Sequence, residues 1–271
     1  MAKAVNSRTR VLYFESPVNP TLDLVDLRAI GEIAAAANKG RKRRVYSVID
    51  NTFATPFGQR PIEHGIDVSL HSLTKNIGGF GTEVGGAVCC SKEVFPFLAS
   101  YRKDFGGILS PKAAWNILTY GVPTIPLRIK RQQYSALHVA RYLENHPLVA
   151  MVRYPGLDSF PQHSLALRQM RDFDGGFAPG NMIYFRLDER KVSGIKFVDH
   201  VAQNAYCVTL AVSLGHTKTL IEMPSAMTHS AYAGEGPMRE HGGIRLSIGL
   251  ESPTDIIKDL EASLRAVGRR R

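Results

Sequence analysis

Cysteine is scarce in this sequence. It occurs three times in 271 residues, and two of the copies, Cys89 and Cys90, are adjacent. Neither a disulfide framework nor a C-x-x-C zinc pair can be built from this arrangement. We therefore expect no metal site, and we interpret the three cysteines as small core residues.

Long apolar runs are also missing. No stretch approaches the roughly 20 consecutive apolar residues that a helix needs to cross a bilayer, and the first residues carry no apolar segment of the secretory type. With 44% hydrophobic residues, the chain can still bury a sizeable core. These features predict a soluble globular enzyme in the cytoplasm, without membrane contact.

Acidic residues are fewer than basic ones, which gives a formal net charge of +10. A basic surface can attract nucleic acid. Here, however, the excess is concentrated in residues 39–44 and 269–271, and no nucleic-acid-binding motif accompanies it. A charge run between a helix and a strand is usually a solvated loop. We expect no nucleic-acid partner.

Three short apolar stretches each lead to a polar side chain that could carry chemistry. We predict strands over residues 11–14, 45–49 and 66–70. Their order, strand, helix, strand, predicts parallel pairing, and the ligands of such sheets collect at the carboxyl ends of the strands. Asn19, Asp50 and Lys75 lie at or just beyond these ends.

Lys75 is the candidate chemical centre. It ends the sequence HSLTK, where a buried strand gives way to a glycine-rich loop, and two hydroxyl side chains, Ser72 and Thr74, come just before it. An amine in this position can form a Schiff base with an aldehyde cofactor whose phosphate the hydroxyls receive. A solvated surface lysine is the commoner use of this residue type.

Asp50 opens the sequence DNTFATP at residues 50–56. A carboxylate at a strand end can pair with the protonated pyridine nitrogen of pyridoxal 5'-phosphate (PLP), which keeps the ring an electron sink. An aspartate before Asn and Thr more commonly caps the turn that follows. Both interpretations stay open for the residue taken alone.

The two segments together resemble the Cys/Met-metabolism family of PLP-dependent enzymes, the trans-sulfuration enzymes. Further matching stretches, in chain order, are ESPVNP at 15–20, SLG at 213–215, PSAMTH at 224–229 and GIRLSIGLE at 243–251. The resemblance implies an α/β fold of the type I PLP-dependent transferases, like aspartate aminotransferase, N-terminally truncated, with a C-terminal α/β domain. It divides the chain into part of the PLP-binding large domain, 1–125, and a small domain, 126–271.

The resemblance also implies roles for the residues that would hold the cofactor. Lys75 would be the Schiff-base lysine and the catalytic general base. Asp50 would pair with the ring nitrogen, and Ser72 and Thr74 would hold the phosphate. Asn19 would contact both the ring and the substrate carboxylate, although an asparagine before proline can simply end a strand.

Substrate binding is implied for three residues. Arg245 would grip the substrate α-carboxylate, because its planar fork makes two parallel hydrogen bonds that lysine cannot reproduce. Asn19 would assist it, and Ser213 would lie near both the carboxylate and Lys75. A lone arginine in a strand is more often a surface ion-pair partner.

The implied reaction is elimination or replacement at a sulfur or acyloxy group of cystathionine, methionine or an O-acylhomoserine, in a homodimer or homotetramer. Asn76 and Phe80 depart from the family pattern, in which an aromatic residue and a histidine stand at these places. The family also has a substantial region before ESPVNP, so we expect the chain to need a separate N-terminal chain for full activity. The alternative is a catalytically impaired remnant that serves only as a fold or oligomer partner.

Helical periodicity makes two further predictions. A helix capped by Asp23 should bury Leu24 and Leu27 on one face. A long helix over residues 127–144 should carry Leu127 and Tyr134 on its apolar side.

Overall fold

The structure, a computed structural model, describes residues 1–224 and 243–268 and contains two β-sheets. The first sheet has the order β1-β2-β3-β4, with β1 Val11–Glu15, β2 Tyr46–Asp50, β3 Val68–Ser72 and β4 Gly86–Cys90. Strands β1, β2 and β3 are parallel, and β4 runs antiparallel to β3. The predicted parallel pairing is confirmed.

Helix α1, Leu27–Asn38, covers one face of this sheet. Alternate residues of β1 are buried, as expected for a strand with one covered face. Phe14 and Ile49 pack there against Leu27 and Ile30 of the helix. Burying a large apolar side chain contributes about 1.5–3 kcal/mol, so these contacts fix the helix over the carboxyl half of the strands.

The start of α1 differs from the prediction. Asp26, not Asp23, caps the helix by accepting an N–H of its first turn. Asp23 instead forms an ion pair with Arg153, with 2.6 Å between the charged atoms. Leu24 is buried before the helix begins, because the Gln162 side chain bonds both its N–H and its carbonyl. This contact from a distant segment keeps residue 24 out of the helix.

The chain between the sheets is largely helical. After β2 come α2, Thr55–Gly58, and a 3-10 turn, Pro61–His64; a further 3-10 turn, Ala2–Ala4, precedes β1. A π-helical turn, Leu73–Ile77, follows β3. Next come α3 Phe95–Phe105, α4 Pro111–Asn116, a π-helical turn Ile117–Gly121 and α5 Val122–Glu144.

Helix α5 begins at Val122 rather than at residue 127, and its buried face is not the predicted one. Leu127 and Tyr134 are exposed. Polar Arg128 and Gln132 are buried instead, because their side chains donate to backbone carbonyls of neighbouring loops. A pattern based on apolar residues alone assigns such side chains to the solvent face.

Strand β4 and helix α3 bury little. No residue of α3 is buried, although it carries three phenylalanines. Cys89, on β4, is exposed, and Cys90 and Cys207 are half-buried, so the prediction that the cysteines are core residues is wrong. Every residue of β4 is at least partly exposed, so Cys89 has no buried strand face to lie on.

The second sheet has the order β5-β6-β9-β8-β7 and encloses the larger core. Its strands are β5 Val149–Arg153, β6 Met182–Leu187, β7 Thr209–Leu210, β8 Leu220–Glu222 and β9 Gly243–Ser247. Its helices are α6 His163–Gln169, α7 Gly194–Asn204 and α8 Pro253–Val267. All strand pairs are antiparallel except β7 with β8.

The predicted division of the chain at residue 125 falls inside α5, and it stays a prediction. Residues 225–229 of the matching stretch PSAMTH lie outside the described residues. Across 1–224 and 243–268, no helix combines the length and apolarity that crossing a bilayer requires.

Candidate active site

Lys75 lies in the π-helical turn directly after β3, with a non-helical backbone (φ −94°, ψ −136°) that interrupts the helical geometry. Its Nζ donates to Ser213 Oγ at 3.1 Å. Ser213 follows β7 of the second sheet. The lysine therefore joins two parts of the chain that are 138 residues apart.

The surroundings of Lys75 favour its neutral amine. Burial lowers its pKa, and the positive charge of Arg245 lowers it further, while the negative charge of Glu222 acts in the opposite direction. Desolvation and a nearby like charge both disfavour the protonated form of an amine. A lysine in this environment is suited to act as a nucleophile or a general base.

Arg245 is buried on β9 and binds three groups. Nη1 donates to Asn19 Oδ1 at 2.8 Å, and Nη2 donates to the Ser213 carbonyl at 3.2 Å. The Glu222 carboxylate lies 2.9 Å from Nη2. Burial lowers the pKa of Arg245, and Glu222 opposes that shift. Arg245 is therefore held by Asn19 and Ser213 as well as by its counter-ion.

Asp50, Ser72 and Thr74 lie at the carboxyl ends of neighbouring strands. Asp50 ends β2 and accepts the Thr52 N–H at 2.9 Å, as a turn cap does. Ser72 ends β3, and its N–H donates to Thr52 Oγ1 at 2.9 Å. Thr74 Oγ1 accepts the Gly85 N–H at 3.1 Å. The capping interpretation of Asp50 thus holds for one of its two oxygens.

The predicted residues fall into two groups in the structure. Asn19, Lys75, Ser213 and Arg245 are joined by direct hydrogen bonds. Asp50, Ser72 and Thr74 are bonded to loop residues at the same edge of the first sheet. Phe53, three residues after Asp50, approaches the first group, since its ring centre lies 5.9 Å from the Arg245 guanidinium carbon.

Sequence reasoning missed three polar residues around this site. Glu222 pairs with Arg245 across strands β8 and β9, where the two residues are partners in register. His216 Nε2 lies 3.3 Å from Ser213 Oγ. Arg128 donates to the carbonyls of the loop that follows Lys75. No linear signal marks these three residues; Glu222 meets Arg245 only because β8 pairs with β9.

A cavity of about 500 Å³ opens beside Thr74 and is a separate space. Lys75 and Arg245 do not line it. Its lining residues are Thr74, Gly78, Phe80, Gly81, Thr82, Glu83, Lys112, Asn116, Ile117 and Tyr120. Of the predicted site residues, Thr74 alone lines this cavity.

The profile of the family described as Cys/Met metabolism PLP-dependent enzyme matches residues 1–265. This chain belongs to that family. The family predicted from the sequence is therefore confirmed, and PLP is the cofactor in its name.

Individual family members agree. An L-methionine gamma-lyase of Fusobacterium nucleatum subsp. polymorphum is 39% identical over 97% of this chain and 64% of its own length. A cystathionine gamma-synthase of Mycobacterium leprae is 38% identical over 96% of this chain and 63% of its own. This chain thus spans somewhat less than two thirds of the curated relatives it matches.

The fold is shared with solved structures of the family. A cystathionine gamma-lyase from Lactobacillus plantarum, complexed with L-serine, aligns with a TM-score of 0.85 at 33% identity, over 99% of this chain and 67% of that one. The predicted fold class is confirmed.

The side chains of this family member fit PLP by their chemistry. The amine of Lys75 matches the aldehyde, and the Asp50 carboxylate matches a protonated pyridine nitrogen. Ser72 and Thr74 carry hydroxyls that match a phosphate group. The Thr74 hydroxyl oxygen, next to Lys75 in the sequence, accepts the Gly85 N–H. The Lys75 amine is bonded to a neutral hydroxyl rather than to a carboxylate, which leaves it able to react.

Proposed function

We propose that this chain forms the catalytic part of a PLP-dependent enzyme that eliminates or replaces a sulfur or acyloxy group on an amino acid. One observation carries the proposal. Ser213 binds Lys75 through its hydroxyl and Arg245 through its carbonyl. A group that reacts with an aldehyde and a group that binds a carboxylate are thereby bound to the same residue, which brings them close together, as an α-amino acid substrate requires.

Lys75, Asp50, Ser72, Thr74 and Asn19 would hold the cofactor. Lys75 would hold its aldehyde carbon covalently, Asp50 would keep its ring nitrogen protonated, and the two hydroxyls would bind its phosphate. Asn19 would contact its ring. When bound, PLP supplies an electron sink for the electron pair that remains on the substrate α-carbon after its proton is removed.

Lys75 is the proton carrier in this proposal. Its lowered pKa leaves a larger neutral fraction near pH 7 than an exposed lysine has, so Nζ can accept the α-proton of the substrate. The hydrogen bond to Ser213 fixes where Nζ lies. The same amine can then deliver the proton to a neighbouring carbon or to the leaving group.

Arg245 and Asn19 orient the substrate. Asn19 Oδ1 is bound to Arg245, which leaves the Asn19 amide N–H groups to donate to the substrate carboxylate. A buried guanidinium makes a stronger contact to carboxylate than a solvated one, because water does not screen it. The α-carboxylate is therefore the recognised group, and the side chain of the substrate is left to other residues.

The sulfur amino acids are the proposed substrate class. The relatives named above act, by their names, on methionine and in cystathionine metabolism. L-methionine and L-cystathionine are accordingly the first substrates to assay. The cytoplasmic location predicted from the sequence stays a prediction.

Borohydride reduction tests the proposal. The purified chain is mixed with PLP and reduced, and the labelled peptide is located by mass spectrometry. We expect label at Lys75, its loss in Lys75→Ala, and full labelling in Lys196→Ala, which removes an exposed lysine of α7. Label spread over surface lysines, with none at residue 75, would disprove the proposal.

A polypeptide partner also belongs to the proposed function. Most of the exposed large apolar side chains among the described residues lie between residues 80 and 134. Phe97, Tyr101, Phe105 and Trp115 are each more than 60% exposed. Exposed apolar surface of this kind marks an interaction site. We propose that it is covered by a segment equivalent to the third of the relatives' length that this chain does not match, and that the covered protein assembles as a homodimer or homotetramer.

Complementation tests the partner. The chain is mixed with a polypeptide carrying the unmatched part of the Fusobacterium relative, and PLP affinity and molecular mass are measured. We expect tighter PLP binding and a larger complex, both abolished by Phe97→Glu with Tyr101→Glu. Ile195→Glu, on the exposed face of α7, should leave both unchanged. Equal effects of the two kinds of variant would show that this surface is not where the partner binds.

A further inference from the structure

A short hydrogen-bonded chain runs from Lys75 through Ser213 to His216. Lys75 Nζ donates to Ser213 Oγ at 3.1 Å, and His216 Nε2 lies 3.3 Å from the same oxygen. The Ser213 hydroxyl has one proton and two lone pairs. Because Lys75 donates to the oxygen, the hydroxyl proton has to point elsewhere, and the His216 nitrogen is within its reach.

His216 is held rigidly. The neighbouring Thr217 N–H donates to the Gly79 carbonyl at 2.9 Å, in the loop that follows Lys75. The His216 carbonyl accepts from Gln132 of α5 at 2.9 Å. The Gly215 N–H donates to Ser247 Oγ of β9 at 2.7 Å. Three separate elements thus fix the backbone on both sides of the histidine.

The imidazole ring is also packed closely. A Cβ at Gly81 would lie 2.6 Å from His216 Cε1, so the ring occupies space that only glycine at 81 leaves open. His216 is half-buried, and it makes no hydrogen bond to Arg245 or Asn19 among the contacts of the described residues. Its route to the reacting groups is through Ser213.

We infer that His216 is a positioning residue that acts on Lys75 through the Ser213 hydroxyl, in addition to the proposed function on which this role rests. Neutral His216 accepts the Ser213 proton at Nε2 and so turns the lone pairs of the oxygen toward Lys75. The oxygen then stabilises the ammonium form and holds Nζ in place. Without that acceptor, the hydroxyl turns and donates to the amine.

The charges around this chain are consistent with a neutral imidazole. Burial lowers the pKa of His216, and the positive charge of Lys75 lowers it further. Arg245 and Glu222 are the other charged groups that act on Lys75, in opposite directions. Near pH 7 the imidazole is thus mostly unprotonated and can accept a proton from Ser213.

The test measures the Lys75 amine in the chain without added PLP. Trace acetylation by acetic anhydride, followed by mass spectrometry, reports the pKa of each lysine, because only the neutral amine reacts. His216→Phe should lower the pKa of Lys75 and raise its reactivity at pH 8 about tenfold. His216→Gln retains an acceptor and should restore the value of the unmodified chain.

The Ser213→Ala background separates this role from simple loss of polarity. In that background His216→Phe should leave the pKa of Lys75 unchanged, because the hydroxyl that connects the two side chains is absent. An equal fall in the pKa of Lys75 in both backgrounds, or no fall in either, would overturn the inference. If His216→Phe does not fold, as judged by circular dichroism, His216→Ala removes the acceptor with less bulk and should give the same result. Labelling of Lys75 by PLP and borohydride is a separate readout, so either proposal can fail alone.

Discussion

The Arg245 guanidinium lies 2.9 Å from the Glu222 carboxylate, and the two side chains are 4% and 1% exposed. Two charges removed from water to this extent are stable only when each has partners. Arg245 has them in Asn19 and the Ser213 carbonyl. The contacts of Arg245 therefore fix the direction in which the guanidinium can bind a carboxylate.

Replacing Glu222 by Gln should destabilise the protein strongly. The substitution keeps the shape but leaves the Arg245 charge buried without its counter-ion, which costs about 3–5 kcal/mol in unfolding free energy. Urea unfolding followed by circular dichroism measures it. Asp255→Asn, which breaks the exposed pair with Lys258, should cost less than about 1 kcal/mol. Similar losses for both variants would contradict the role assigned to burial.

Substrate affinity should depend on Arg245 more than on total charge. Arg245→Lys keeps one positive charge but loses the planar fork, so binding of L-methionine to the PLP-loaded protein should weaken about 10- to 100-fold. The dissociation constant is read from the visible absorbance of the cofactor. An amine without a carboxylate serves as the control ligand, and its affinity should be unchanged. A parallel loss for both ligands would point to a disturbed site instead.

Lys75 should make stability depend on pH. Its pKa in the folded chain is lowered by burial and by Arg245, so between the folded and unfolded pKa values the unfolded state binds more protons. The unfolding free energy therefore rises with pH as the pH passes through the folded value toward the unfolded one, and levels off above the latter. Lys75→Met should remove this rise and stabilise the protein at pH 7. Urea unfolding at several pH values checks it, and an unchanged slope in the variant would contradict it.

Gly215 should tolerate no side chain. Its φ is +75°, and a Cβ there would lie 2.4 Å from the backbone nitrogen of Asn76, beside Lys75. Gly40 has a similar φ of +70° but open space around it, so Gly40→Ala measures the conformational cost alone, about 1–2 kcal/mol. Gly215→Ala should cost clearly more, because the loop after Lys75 has to move. Thermal unfolding of the two variants compares them, and equal costs would refute the close approach.

Arg128 should stabilise the loop after Lys75. Its guanidinium is buried and donates to the carbonyls of Asn76, Ile77 and Gly121. Arg128→Met leaves these carbonyls without their donor and should cost about 3 kcal/mol or more. Arg131→Met, on the exposed face of the same helix, is the matched control and should cost less than about 1 kcal/mol. Unfolding in urea gives both values, and similar losses in the two would count against this role.

The family and the fold class were predictable because the residues at the strand ends that would bind the cofactor lie in short contiguous segments of the sequence. Residues 50–56 and 71–75 carry the carboxylate and the lysine within a few positions of their strands, and parallel pairing follows from strand order. In these cases the decisive contacts are local in sequence.

Tertiary structure decided the rest. Whether Asp23 or Asp26 caps α1 depends on Arg153 and Gln162, and the buried face of α5 depends on carbonyls that Arg128 and Gln132 reach from another element. The partners of Lys75 and Arg245, namely His216 through Ser213 and Glu222 across the sheet, are likewise set by strand pairing and loop packing. Buried polar side chains pair with distant groups to offset desolvation, and a linear sequence does not record those distances.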